Sequence, residues 1–303
     1  MSQVSAPTSS TSQTTASTPS SDDEWPSISD LPGNTEWKIG STANGIMTVV
    51  KQEQAKETRA APYIVFSNVP PEIVEQSNKR PNLVGGRNVR IFYDERTRYL
   101  VVKLVSGPHE VAERMLSRKL EQAAENMGLE DDLIPTGSKR IELTPHSKEP
   151  DSSWRPHTFP AGRTGKWPMV VVESGFSESL SRLRLDAQWW ITRSGGDVKV
   201  VILIAILPSG PRIVIEKWTP DPNVETLRPG LRDRSPRVTG TRVQETILTR
   251  GAKNFITITG APLVVTFDEM FLRTASPPQE FDIVVSMQAL ESIARKIWEE
   301  QGI

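Results

Sequence analysis

The stretch that decides the fold is Met169–Ile206, MVVVESGFSESLSRLRLDAQWWITRSGGDVKVVILIAI. It opens with the all-apolar run Met169-Val170-Val171-Val172, which closes on Glu173. Leu180, Leu183, Ala187, Trp190 and Ile191 then recur at helical spacing, with Ser177 placed to cap the helix and Gly195-Gly196 to end it. Val198–Ile206 follows as a continuous β-branched run, the pattern of a central strand covered on both faces. Strand, helix and strand in close succession predict a βαβ-like unit within a sheet, hence an α/β domain with a mixed central sheet flanked by helices.

The same reading extends outward. Val89–Tyr93 and Tyr99–Val105, joined by Asp94-Glu95-Arg96, predict a hairpin. Pro108 suits a first helical turn, and Ala112, Leu116, Leu120, Ala123 and Met127 continue that helix to Gly128. Arg212–Trp218 alternates and is expected as a half-exposed neighbour of the central strand. Beyond an Arg-, Pro- and Gly-rich loop (227–241), strands are expected at Gln244–Thr249, Phe255–Thr259 and Leu263–Phe267. A final helix carries Leu290, Ile293, Ala294, Ile297 and Trp298 on one face. Residues 1–35 are expected to form a disordered tail, since Ser2–Ser21 is almost entirely Ser, Thr, Gln, Ala and Pro. Residues 36–303 are expected to form one domain, with its core at about 85–220 and C-terminal strands and helix at 240–303.

Composition narrows the function classes. The 303 residues carry a net charge of −1, which argues against a basic nucleic-acid binder, although a local patch remains open. Without cysteine there are no disulfides or thiolate zinc sites, and three histidines make a His-rich metal site improbable. No apolar run approaches the ~20 residues that span a bilayer. A cytoplasmic or nuclear protein with no membrane association is therefore expected, its tail being either a partner-docking segment or a solubilising one.

Two carboxylates stand out by position: Asp151 after Pro150, and Glu173 at the end of a buried strand. A carboxylate there is costly unless it reaches solvent, pairs with a cation or binds a metal. Asp151 could equally be a turn residue, Glu173 could pair with an arginine, and Asp186 could pair with Arg182 or Arg184 one turn back.

The ordered series of a helix with His109-Glu110, then KEPDSSWRP, VVVESGFSESLSRLRLDAQWW and GGDVKVVILI, resembles the PD-(D/E)xK restriction-endonuclease-like superfamily. Within it, the chain is similar to bacterial Uma-type endonucleases and to fungal proteins with this domain. The resemblance implies a metal-dependent DNA phosphodiesterase in which Asp151 and Glu173 hold Mg²⁺ or Mn²⁺ and Glu110 assists. It also implies a lysine two residues after Glu173, where Gly175 stands; the Uma-type position on the following helix holds Asp186. The family's chemistry can thus be retained or lost, and the alternative is a catalytically inactive nuclease-fold module that binds a partner. Asp197-Val198-Lys199 offers a weaker D-x-K reading. Arg228, Arg232, Arg234, Arg237 and Arg242 could contact phosphates or simply be solvated. Trp189-Trp190 could stack bases but suits core packing better, and Trp154 and Trp167 could line a cleft.

Overall fold

The computed structural model describes residues 31–56, 61–222 and 238–303. Ser2–Ser21 and Arg228, Arg232, Arg234 and Arg237 lie outside them. Leu31, inside the segment expected as tail, is buried.

In chain order, β1 (Glu36–Ile39), α1 (Ala43–Gln54), β2 (Tyr63–Ser67) and α2 (Pro71–Lys79) precede the expected hairpin, β3 (Val89–Asp94) and β4 (Tyr99–Leu104). Helix α3 (Gly107–Asn126) is followed by β5 (Leu133–Pro135), β6 (Ile141–Leu143), β7 (His146–Lys148) and β8 (Ser152–Pro156). The βαβ unit is β9 (Val170–Phe176), α4 (Leu180–Arg193) and β10 (Val200–Ile206). Then come β11 (Arg212–Pro220), β12 (Gly240–Arg250), β13 (Ile256–Thr259), β14 (Leu263–Val265), α5 (Phe267–Phe271), β15 (Ile283–Val285) and α6 (Met287–Gln301).

The architecture is mixed α/β, with mixed sheets flanked by helices. A six-stranded sheet has the order β1-β2-β4-β3-β7-β6, and a seven-stranded sheet the order β13-β12-β11-β10-β9-β8-β5. Strands β9 and β10 pair in parallel, as a crossover through α4 requires, whereas β10 meets β11 antiparallel. Strands β14 and β15 form a separate two-stranded sheet.

Side-chain alternation sorts the residues into layers. In β10, Val200, Ile202, Ile204 and Ile206 join the cluster that holds Leu116 and Leu120 of α3 and Leu290, Ile293 and Ile297 of α6. The intervening Val201, Leu203 and Ala205 join a second cluster with Leu183, Ala187 and Trp190 of α4. That second cluster also takes Tyr63, Val65, Phe92 and Val101 from the six-stranded sheet, so the two sheets meet across it. The other face of the six-stranded sheet packs Ile64, Phe66, Leu100 and Val102 on Ile46 and Val50 of α1.

Several expectations need correction. Helix α4 is capped by Ser179, whose side chain accepts from Arg182 N, because Ser177 sits at φ 66° in the turn out of β9. Strand β9 runs through Phe176, so Glu173 lies inside the strand rather than at its end. Strand β11 is buried on both faces from Ile213 to Lys217 instead of half exposed, because each face meets a separate core cluster. Strand β8 begins directly after Asp151, and Gly240 and Thr241, expected in the loop, already belong to β12.

Ile202 is fully buried between β9 and β11. Ile202→Ala should lower stability by about 2–5 kcal/mol through lost transfer energy and the cavity left behind, measured by urea unfolding.

Candidate functional site

Residue parity builds the site. Lys103 shares the face of β4 that carries Val101, and Glu173 shares the face of β9 that carries Val171, so both enter the layer between the sheets. Arg90 follows the same rule beside Phe92 in β3, and Tyr63 opens the inward face of β2. Lys148 ends β7, Asp151 directly precedes β8, and Arg182 and Asp186 lie one turn apart on α4. His109 arrives from the first turn of α3 and Glu178 from the turn before α4.

These groups form one buried ionic network. Lys103 Nζ lies 3.1 Å from Asp151 Oδ2, 3.4 Å from Glu178 Oε2 and 3.9 Å from Glu173 Oε2, and donates to the Ser174 carbonyl at 2.7 Å. Asp151 Oδ2 also accepts the Ser174 N–H at 2.8 Å. Its Oδ1 lies 3.0 Å from His109 Nε2 and 3.4 Å from Arg90 Nε. Glu173 Oε1 accepts the Trp190 indole N–H at 2.6 Å and faces Lys148 Nζ at 3.5 Å. Lys148 donates to Asp186 Oδ1 at 2.6 Å, and Arg182 lies 4.0 Å from the same oxygen. Tyr63 donates its hydroxyl proton to Glu178 Oε1.

The structure thus brings the two sequence-predicted acids together. Both lie within 3.9 Å of one ammonium nitrogen, far inside the ~10 Å beyond which they could not share an ion. The surroundings then separate their behaviour. Burial works against ionisation of Asp151, but His109, Lys103 and Arg90 overcome it and hold the carboxyl well below the usual range. Asp186 is lowered likewise, against burial, by Lys148, Arg182 and Lys103. Glu173 goes the other way: burial, with Asp151 and Asp186 adding to it against Lys148, pushes it up to about 7. Burial would lower Lys103, yet Asp151, Glu178 and Glu173 raise it above the ordinary lysine value.

A divalent cation does not fit these residues as they stand. Mg²⁺ requires a near-octahedral set of oxygens at ~2.0–2.1 Å. Every carboxylate oxygen of Asp151 and Glu173 already faces an ammonium, guanidinium, imidazole or N–H donor, and the Lys103 ammonium sits between the two acids. Among the described residues, no three or more His, Asp or Glu side chains group as metal ligands. Gly175, where the motif would place its lysine, has no room for a side chain: a Cβ there would meet Glu178 Cβ and Oε2 at 2.8 Å and Leu183 Cδ1 at 3.2 Å.

Glu110 does not join the network. It pairs with Arg114 at 2.5 Å, with 41% of its side chain exposed, on the rim of a cleft of about 1090 Å³ that borders Asp151 and His109. Glu113 is the α3 glutamate that feels Asp151; burial raises its carboxyl, opposed by hydrogen bonds from Ser152 and Ser117. Of the arginines near Asp186, Arg182 joins the network, whereas Arg184 binds Glu216, as does Arg242. Lys199 donates to the Gly196 carbonyl and Asp197 pairs with Arg163, so the alternative D-x-K reading fails. Trp154 and Trp167 are buried in the core rather than lining a cleft, and Trp189 packs edge-on against Trp167 and Trp190.

Lys103 escaped the sequence reading, and Lys148 and His109 entered it only as neighbours of Asp151 and Glu110 in the quoted series, with no role assigned. The available signal for Lys103 was a lone cation inside an apolar strand, on the face shared with Val101.

Removing one partner from a buried pair leaves the other charge uncompensated, so Lys148→Met should cost about 3–5 kcal/mol in denaturant unfolding. The raised Glu173 carboxyl keeps its proton in the folded chain between its unfolded value of 4.5 and about 7. The folded state binds more protons across that window, so the stability it contributes is complete below the unfolded value and is lost as pH rises through the folded one. Glu173→Gln, neutral throughout, should therefore lose less thermal stability than the parent between about pH 5 and about pH 8, seen as a flatter dependence of Tm on pH.

In comparisons with known proteins, no family model matches the chain. No curated protein matches it either. Among solved structures, a candidate nuclease belonging to DUF820 from Anabaena variabilis is similar at a TM-score of 0.34 and 11% identity, covering 67% of this chain and 90% of that one.

Proposed function

We propose that this chain is a nuclease-fold protein of the PD-(D/E)xK type that works by binding a partner rather than by hydrolysing a phosphodiester. The observation that carries the reading is the Lys103 ammonium held between Asp151 and Glu173 at 3.1 and 3.9 Å. The two acids lie together, as the resemblance implies, but their charge is balanced from within. Their side chains are at most 2% exposed, which withdraws them from a substrate phosphate.

The contact surface we assign is the cleft beside Asp151 and His109. Arg90, Arg114, Lys139, Arg140 and Lys166 border it, and so do Glu110, Glu113, Glu142, Glu149 and Asp151. Asp151 apart, since it is buried, five cations stand beside four acids, and this mixture suits a polypeptide of mixed charge better than a uniformly anionic nucleic-acid backbone.

Metal-dependent DNA cleavage is the second reading, favoured by the convergence of Asp151 and Glu173 and by Lys148 at 3.5 Å from Glu173, where it could stand in for the motif lysine. Incubation of supercoiled plasmid and single-stranded DNA with the protein in Mg²⁺ or Mn²⁺ separates the two. The binding reading expects no nicking. Metal-dependent nicking that both Asp151→Ala and Glu173→Ala abolish would establish the nuclease instead.

A further inference from the structure

We propose that the Lys103 side chain is a built-in counter-cation that occupies the divalent-ion position between Asp151 and Glu173, and that its removal alone opens a metal site there. The inference rests on the binding reading above and adds to it the residue responsible.

Three features of Lys103 support this. Its ammonium meets three carboxylates, from Asp151, Glu173 and Glu178, and the Ser174 carbonyl, an all-oxygen environment of the kind a hard divalent cation takes. The side chain is only 9% exposed, so this is a fixed neighbour rather than a surface pair that comes and goes. The surrounding charges also oppose a second cation. Lys103, Lys148, Arg90, Arg182 and His109 already face Asp151, Glu173, Glu178 and Asp186. A divalent ion added to that set brings two further positive charges into a buried site, whereas one that replaces the Lys103 ammonium adds only a single unit.

Oxygen is freed at the same place. Deleting the ammonium leaves Asp151 Oδ2 with only the Ser174 N–H and leaves Glu178 Oε2 and Glu173 Oε2 without their nearest cation. Three carboxylate oxygens and a carbonyl then face one vacated volume, with access from a cavity of about 480 Å³ lined by Lys103, His109 and Glu178.

The test is thermal unfolding and calorimetric titration of the full chain with MnCl₂, comparing wild type, Lys103→Ala and Lys103→Ala/Asp151→Asn. The wild type should show no Mn²⁺-dependent shift. Lys103→Ala should be destabilised in chelator, regain stability as Mn²⁺ is added, and bind one ion. The double variant should lose that gain. If Lys103→Ala does not fold in chelator, refolding with Mn²⁺ present and the milder Lys103→Gln supply the comparison. Stoichiometric Mn²⁺ binding by the wild type would overturn the proposal, as would failure of Mn²⁺ to stabilise or restore either variant. Wild-type nicking of plasmid would remove the underlying binding reading, whereas unresponsive variants beside an inert wild type would remove this inference alone.

Discussion

The structure is organised around charge buried where two sheets meet. A carboxylate or ammonium taken out of water costs several kcal/mol unless well-placed partners offset it. Here Asp151, Glu173, Glu178 and Asp186 share that layer with Lys103, Lys148, Arg90, Arg182 and His109, and pairs join different elements: Lys103 of β4 meets Glu173 of β9, and Lys148 of β7 meets Asp186 of α4. The network therefore sets how β4, β7, β9 and α4 must lie relative to one another. Apolar contacts in the same layer, such as Trp190 beside Leu183 and Val201, could tolerate a sliding of one sheet against the other far better.

Register enforces the same requirement. Glu173 pairs with Leu203 and Lys103 pairs with Arg90 and Tyr63, so these side chains reach the seam only in this alignment. A slip of one residue in β4 would turn Lys103 toward Ile46 and Val50 of the α1 cluster and push Leu104 into the ionic layer. The large apolar halves of the fold, β9-α4-β10 on one side and α1 with the six-stranded sheet on the other, are joined where charge allows little freedom.

Much of this was legible in the sequence because it is periodic. The β-branched run of β10, the stripe of α4 and the final helix each carry one dominant repeat, and each formed within about three residues of its expected place. Strands β5, β7 and β8 were not legible, being only three to five residues long, β7 and β8 largely polar as well, with pairings that no local pattern encodes. Asp151 and Glu173 could be singled out because an acid beside an apolar strand is costly. Their cations could not: Lys103 is remote from both in sequence, and Lys148, three residues before Asp151, reaches Glu173 and Asp186 instead, a pairing made only when the six-stranded sheet docks on the other.

The same docking accounts for Gly175. It shares the inward face of β9 with Glu173, where the motif would place a lysine, yet Glu178 already fills the space a side chain would take. Glu178 is held there by the Tyr63 hydroxyl on one oxygen and by Lys103 at 3.4 Å from the other. A lysine at position 175 would thus displace the carboxylate that Lys103 helps to neutralise, and Lys103 without Glu178 would lose one of its three acids. The glycine, the glutamate and the strand lysine are one arrangement: Gly175 leaves the space that Glu178 fills, and Glu178 in turn helps to neutralise Lys103. Lys103 reaches the same acids from the opposite sheet, its ammonium lying within 3.9 Å of both Asp151 and Glu173.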